Sequence, residues 1–191
     1  MRAQVLERFA GVLRREVVTD RKQVAAVGAG AVVACLTLAA YARIPLPFTP
    51  VPITLQTFFV LVAGAGLGPQ LGTVALSAYL VLGTLGLPLF TGAWLGPTTG
   101  YLVGFVAAGW LVGTLVRRSA SASTPRIVVA MAAGTLVIYV FGAAWLAVLT
   151  GDVRTALVAG VLPFLPGDVV KLAAAAAFCR GYRERLRALF P

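Results

Sequence analysis

Long apolar tracts alternate with short clusters of charge along this chain. No Asp, Glu, Lys or Arg occurs from Ile44 to Val116, and none from Ile127 to Gly151. A helix that crosses a bilayer needs about 20 predominantly apolar residues, so the first tract holds three crossings and the second one. With the apolar stretches on either side, the pattern predicts six spans, at about 24–41, 54–66, 71–85, 100–116, 127–149 and 162–178. The second is short. The expected fold class is an all-α integral membrane protein of six transmembrane helices.

Two of the connections are unusual. "RIPLPFTPVPITLQ", Arg43 to Gln56, carries Pro45, Pro47, Pro50 and Pro52. Proline removes a backbone donor and breaks helices, so this segment is expected to be an extended loop, apolar enough to pack on protein. "GLPLFTGAWLGPTTGYLVGF", Gly86 to Phe105, is glycine-rich and reaches Gly96-Pro97 at a helix start. Irregular backbone at membrane depth is tolerated only where it is buried in protein or lines a cavity. Two such loops on one side predict a lid over a cavity open to that side.

Composition agrees with the pattern. The chain is 60% hydrophobic and 12% charged, with a mean hydropathy of +0.94, whereas soluble domains are about half apolar and about a quarter charged. The net charge of +10 does not point to nucleic acid, because the basic residues gather where cytoplasmic ends are expected. Arg2, Arg8, Arg14, Arg15, Arg21 and Lys22 precede the first span. Arg117, Arg118 and Arg126 lie between the fourth and fifth, and Arg180, Arg183, Arg185 and Arg187 follow the last. The other side holds only Arg43 and Arg154. By the positive-inside rule both termini are cytoplasmic, and the expected locale is the cell membrane.

Residues 1–22 place Val5, Phe9, Val12, Leu13 and Val17 at helical spacing among arginines, the pattern of an amphipathic helix lying on the membrane face. An unstructured basic flank is the plainer alternative. "AYAR" at 40–43 looks like a signal-cleavage site, but the apolar run before it is longer than a signal core, so a retained helix is expected. The organisation is then a leader over 1–22, a membrane domain over 23–180 and a basic tail over 181–191. Cys35 and Cys179 both fall in spans, without disulfide or metal spacing, and are read as packing residues.

Asp168 and Lys171, in "FLPGDVVKLAAAAAF", are the sharpest chemical signal. An Asp or Lys at the centre of a spanning helix costs about 2.5–3.5 kcal/mol on insertion scales. At i and i+3 the two share one helical face, and Pro166-Gly167 puts Asp168 in a first turn, where the positive end of the helix dipole favours it. They could simply pair near the interface. Alternatively both face a cavity and hold a polar, partly anionic ligand, with Lys171 meeting a carboxylate and Asp168 accepting from N–H groups. Catalysis is poorly supported: the chain has no histidine, the usual general base and a common metal ligand. An aspartyl protease would need a second membrane carboxylate. No G-x-x-x-x-G-K-[ST] motif is present, so any ATP hydrolysis belongs to another chain. Ala25 and Ala29, Ala26 and Gly30, and Gly30 and Ala34 form small-xxx-small pairs, which let another helix approach closely.

"PITLQTFFVLVAGAGLGP" (52–69), "YLVLGTLGLPLF" (79–90), "GPTTGYLVGF" (96–105) and "PGDVVK" (166–171) resemble, in order and spacing, the signature segments of the BioY family. These are the biotin-binding S components of energy-coupling factor (ECF) transporters, and the resemblance spans about residues 24–180. It implies six membrane helices and a biotin site on the extracellular side, closed by the Arg43–Gln56 loop as a lid. It implies that Tyr101, Asp168 and Lys171 bind the vitamin, with Gln56 a further candidate. Ala25, Ala29, Gly30 and Ala34 become the docking patch for the transmembrane coupling protein, which two separate ATPases drive. No cofactor, no metal and no enzymatic activity is expected, biotin being the transported ligand. Biotin's carboxylate, ureido group and apolar ring complement a cation, a carboxylate and an apolar pocket, and Lys171 could equally meet the ureido carbonyl. The competing readings are a membrane enzyme acting on a lipid or prenyl substrate through Asp168 and Lys171, and a structural scaffold, which leaves the two charges unexplained.

The charge pattern makes a direct prediction. Impermeant labelling of single cysteines should place 117–126 on the cytoplasmic side and 92–94 outside. Labelling of both loops from one side would overturn the six-span topology.

Overall fold

The computed structural model describes residues 21–117 and 123–189, without the side chains of Arg21 and 183–189. Residues 1–20 of the expected 1–22 leader lie outside the described residues, as do Arg118 and the side chains of most of the tail, while residues 21 and 22 open the first helix. The chain order is α1 (Arg21–Tyr41), β1 (Ile44–Leu46), β2 (Thr49–Ile53), α2 (Gln56–Thr84), α3 (Thr99–Arg117), α4 (Thr124–Thr150), the short α5 (Val153–Gly160), a 3-10 turn (Leu162–Phe164) and α6 (Leu165–Leu189). Five stretches among the described residues are long and apolar enough to cross a membrane: Lys22–Tyr41, Gln56–Thr84, Thr99–Arg117, Thr124–Thr150 and Val153–Tyr182.

The expected second and third spans both fall within α2, and α2 is not straight. Gly68 has φ 79° and ψ 178° and is followed by Pro69. A positive φ of this kind suits glycine alone, and Pro69 cannot donate to the preceding turn. The two halves fold back on one another here. Gln56 Nε2 lies 2.8 Å from Tyr79 Oη, although a straight helix at 1.5 Å per residue would hold them about 35 Å apart. A Cβ on Gly72 would sit 3.0 Å from the Ala63 carbonyl oxygen.

The proline-rich connection is more ordered than expected. It forms an antiparallel hairpin with Ile44 opposite Ile53 and Leu46 opposite Thr49, irregular between the two pairs. Pro45, Pro50 and Pro52 occupy alternate positions, which leaves the N–H groups of the residues between them for pairing. Proline is acceptable in such short edge strands. The hairpin is fastened on both sides: Thr49 Oγ1 donates to the Ala159 carbonyl (2.7 Å) and Arg43 Nη1 to the Thr91 carbonyl (3.3 Å). Just before it, Tyr41 Oη donates to the Pro88 carbonyl at 3.0 Å. The Asp152 side chain caps α5 by accepting from the Arg154 and Thr155 amides. The Thr155 hydroxyl, followed by these amides, holds its carboxyl below the usual range.

Helix α3 packs most extensively against α2 and α4, and glycines set how closely they approach. A Cβ on Gly64 would lie 2.6 Å from the Gly109 carbonyl oxygen, and one on Gly100 would lie 2.4 Å from that of Phe141. Two apolar cores result. One, at the hairpin end, includes Leu36, Val51, Leu76, Tyr79, Phe105 and Ile138. The other includes Leu61, Val112, Ile127, Met131 and Cys179. Val27, Leu38, Val129, Leu136 and Val148 are exposed, as befits helices whose outer surface is solvated by lipid rather than water.

Gly113 abuts the α2 bend: a Cβ there would lie 2.6 Å from Pro69 N and 2.8 Å from Gly68 C, both backbone atoms. Gly113→Ala should therefore lower thermal stability in detergent by about 1–3 kcal/mol, the usual cost of overpacking. Gly30→Ala, with nothing within 4 Å of its Cβ position, should not. Equal effects would mean that the contact at the bend is not a constraint.

Candidate binding site

At the hairpin end α2, α3, α4 and α6 converge on a cavity of about 250 Å³. One wall is polar and is centred on Asp168. The 3-10 turn brings the chain into α6 at Leu165, and Pro166 sits in the first turn, where its missing N–H costs nothing. Asp168 follows in the same turn, close to the positive end of the helix dipole, and is 6% exposed. Its Oδ1 accepts from Lys171 Nζ at 2.7 Å and from Thr57 Oγ1 at 3.2 Å. Its Oδ2 accepts from Tyr139 Oη at 2.6 Å. The donors come from α6, α2 and α4, so three helices hold one carboxylate.

Asp168 and Lys171 thus pair with each other, and both line the cavity. Burying an ion pair repays its desolvation only when further hydrogen bonds satisfy the remaining lone pairs, and Thr57 and Tyr139 supply those bonds. A carboxylate has about four acceptor positions and an ammonium three donors. With three donors on Asp168 and one of Lys171's hydrogens spent, the wall still offers an acceptor beside a donor.

The other predicted residues also line the cavity, with their polar groups already engaged. Gln56, 7% exposed, donates from Nε2 to Tyr79 Oη and accepts at Oε1 from Thr54 Oγ1 at 3.3 Å. Tyr101 donates its hydroxyl to the Gly160 carbonyl at 2.6 Å, and its ring occupies the space a side chain on Gly142 would need. Its hydroxyl therefore holds α5 in place, and its ring is what remains for a ligand. Leu102, Phe105, Ile138 and Phe164 complete the apolar wall, while Val51, Pro52, Thr91 and Gly92 line it from the hairpin and the α2–α3 connection.

Sequence reasoning missed Tyr139, Thr57 and Arg43 as site residues. Tyr139 is one of the few side chains with a polar atom in its uncharged tract, and Thr57 directly follows Gln56; those were the only signals. Arg43 lines the cavity at the hairpin, and read as a topological marker it hid this position. Ala25 and Ala29 are half-buried, whereas Gly30 and Ala34 are exposed on the outer face of α1, remote from the cavity lining.

Comparison with known proteins accords with this arrangement. The family model described as "BioY family" matches residues 14–188. The chain is 42% identical over 140 residues to the probable biotin transporter BioY of Pyrococcus horikoshii, covering 70% of this chain and 82% of that one. It is 36% identical over 156 residues to the biotin transporter BioY of Thermotoga maritima, covering 78% and 90%. Its fold matches, with a TM-score of 0.80 and 26% identity over 91% of this chain and 99% of the other, the 2.1 Å crystal structure of the S-component for biotin from an ECF-type ABC transporter. With its all-helical fold, its apolar membrane stretches and a family match along nearly its whole length, the chain belongs to the BioY family.

Proposed function

We propose that this chain takes up biotin, as the membrane subunit that captures the vitamin and hands it to an ECF energising module. The observation that carries the reading is the cavity wall at Asp168 and Lys171, an acceptor and a donor side by side within an apolar enclosure. A cyclic urea presents the complementary pair, an N–H and a carbonyl. Family membership and the biotin transporters among the relatives supply the identity of the ligand, which this chemistry alone would not single out. The same kinship sets aside the enzyme reading.

The geometry also favours an orientation. Lys171 is held by Asp168, whereas Arg43, the other cation on the cavity lining, is exposed at the hairpin and donates to one backbone carbonyl. The ureido group then sits at Asp168 and Lys171, and the carboxylate lies towards Arg43. Of the two orientations that the sequence leaves open, this is the one with Lys171 on the ureido carbonyl. Gln56 and the Tyr101 ring flank the bicyclic head. The hairpin serves as the lid, since Val51 and Pro52 line the cavity that it would cover.

In this reading α2 contributes two crossings, divided at Gly68, for six in all. Both termini are cytoplasmic and the cavity opens outside the cell membrane. The coupling protein docks on α1 at Ala25, Ala29, Gly30 and Ala34, and two ATPase subunits power the complex; no cofactor is held by this chain. The exposure of Gly30 and Ala34, and the open space at Gly30, support the docking assignment.

Equilibrium binding to the purified protein without nucleotide tests the reading. Hydrogen bonds to charged groups contribute about 1.5–3 kcal/mol, and each 1.4 kcal/mol is tenfold. Lys171→Ala and Asp168→Asn should therefore each weaken biotin roughly ten- to a hundredfold. Arg43→Gln should weaken biotin but not uncharged biotin amide, while Lys171→Ala should weaken both. If Lys171→Ala instead abolishes the preference for the acid, the ligand lies the other way round. Unchanged affinity in both Asp168→Asn and Lys171→Ala would place the site elsewhere.

Docking makes a separate prediction. Gly30→Leu should block close helix approach, so that uptake through the coupling module falls while biotin affinity in detergent is retained. Loss of affinity would mean that Gly30 serves internal packing.

A further inference from the structure

Tyr79, on the second half of α2, is 1% exposed and does not line the cavity. Yet its hydroxyl joins two parts of the cavity wall. It accepts from Gln56 Nε2 at 2.8 Å and donates to the Leu89 carbonyl at 3.0 Å. Gln56 is wall, and Leu89 is followed by Phe90, Thr91 and Gly92, which are wall as well. The Tyr79 ring meets Phe90 edge to face, with centroids 5.8 Å apart. Phe90 in turn fills the space beside Gly83, where a Cβ would lie 1.9 Å from its ring.

The segment that Tyr79 holds is also the one that the hairpin side grips. Tyr41 donates to Pro88 and Arg43 to Thr91. Those two bonds are made by exposed side chains, whereas the Gln56–Tyr79 bond is buried in the apolar core with Leu36, Val60 and Leu76. A hydroxyl in such surroundings is retained only with its partners satisfied, so this link is the firm one and the outer two are the yielding ones.

We propose that Tyr79 is a positioning residue for ligand retention: through its hydroxyl it fixes the 87–92 segment against the Gln56 amide, and so slows escape from the cavity without touching the ligand. The inference rests on the biotin reading above. The 87–92 segment has no regular secondary structure of its own, so its place is set by side-chain and backbone bonds to its neighbours. Remove the Tyr79 hydroxyl and, among the described residues, the side-chain hydrogen bonds left on this segment are the two from the exposed side. Gln56 would also lose the acceptor that orients its amide.

The test is stopped-flow or filter-binding kinetics of biotin with the purified full chain. Native protein, Tyr79→Phe, Gln56→Met and the double variant are compared. Tyr79→Phe keeps the ring and its contact with Phe90. It should speed dissociation about three- to tenfold, the worth of one or two neutral hydrogen bonds, while association and the binding-competent fraction stay as in the native protein. Because the two side chains share a bond, the effects of Tyr79→Phe and Gln56→Met should be less than additive. Amide exchange over 85–98 in the ligand-free protein should rise in Tyr79→Phe, with α3 unchanged.

A smaller competent fraction that still releases biotin at the native rate would overturn the proposal, since that is the signature of a residue serving only the fold. Strict additivity or a native dissociation rate would do the same. Should Tyr79→Phe fail to insert, Gly83→Ala displaces Phe90 from behind and leaves the hydroxyl chemistry intact. It should raise both the exchange over 85–98 and the dissociation rate, and native values of both would equally reject the idea. Absence of biotin binding by the native protein would reject the ligand assignment itself, whereas native binding with an unchanged release rate rejects the role of Tyr79 alone.

Discussion

A carboxylate buried at the end of a membrane helix has to be matched by donors, and the arrangement of this protein around its cavity follows from how Asp168 meets that demand. Lys171 on its own helix supplies charge, and Thr57 and Tyr139 supply hydroxyls from two others. Each bond is worth little net when water is the alternative, but in an apolar surround an unmet acceptor carries its full desolvation penalty. The three helices are therefore held in one relative placement at this point, beside the cavity.

That convergence depends on close backbone approach elsewhere. Lipid offers no hydrophobic drive for helices to associate, so small residues and tight van der Waals packing have to supply it. Gly64 against Gly109, Gly100 against Phe141 and Gly113 against the Pro69 bend do so along α3. The fold-back at Gly68 brings Gln56 and Tyr79 within hydrogen-bonding distance, so a single glycine conformation midway along α2 underlies the wall of the cavity.

The same logic separates residues that turn polar groups to the cavity from those that serve its enclosure. Asp168 and Lys171 keep hydrogen-bonding capacity facing the cavity, as a subunit that captures a polar vitamin in a membrane requires. Tyr101 and Tyr79 spend their hydroxyls on backbone carbonyls of α5 and of the α2–α3 connection. The hairpin is fixed to those same two regions by Thr49 and Arg43. In this member of the BioY family the polar side chains near the cavity thus divide between those that face it and those that fasten α5 and the α2–α3 connection around it.

Hydropathy belongs to each side chain by itself, which is why the sequence alone determined the membrane character and the helical class. The cost of burying charge singled out Asp168 and Lys171, and the order of several motifs pointed to the family. Contact with distant residues left no such local trace. Thr57 and Tyr139 lie 111 and 29 positions from Asp168, and nothing in "TLVIYVFG" says which way its tyrosine faces. Four prolines announced a break in the helices, but whether two extended pieces pair depends on what their free N–H groups can reach. Gln56 and Tyr101 both line the cavity, yet the partners of their polar atoms, Tyr79 and Gly160, were decided by packing. A hydroxyl takes whichever acceptor the fold brings within 3 Å, and only the tertiary structure fixes that.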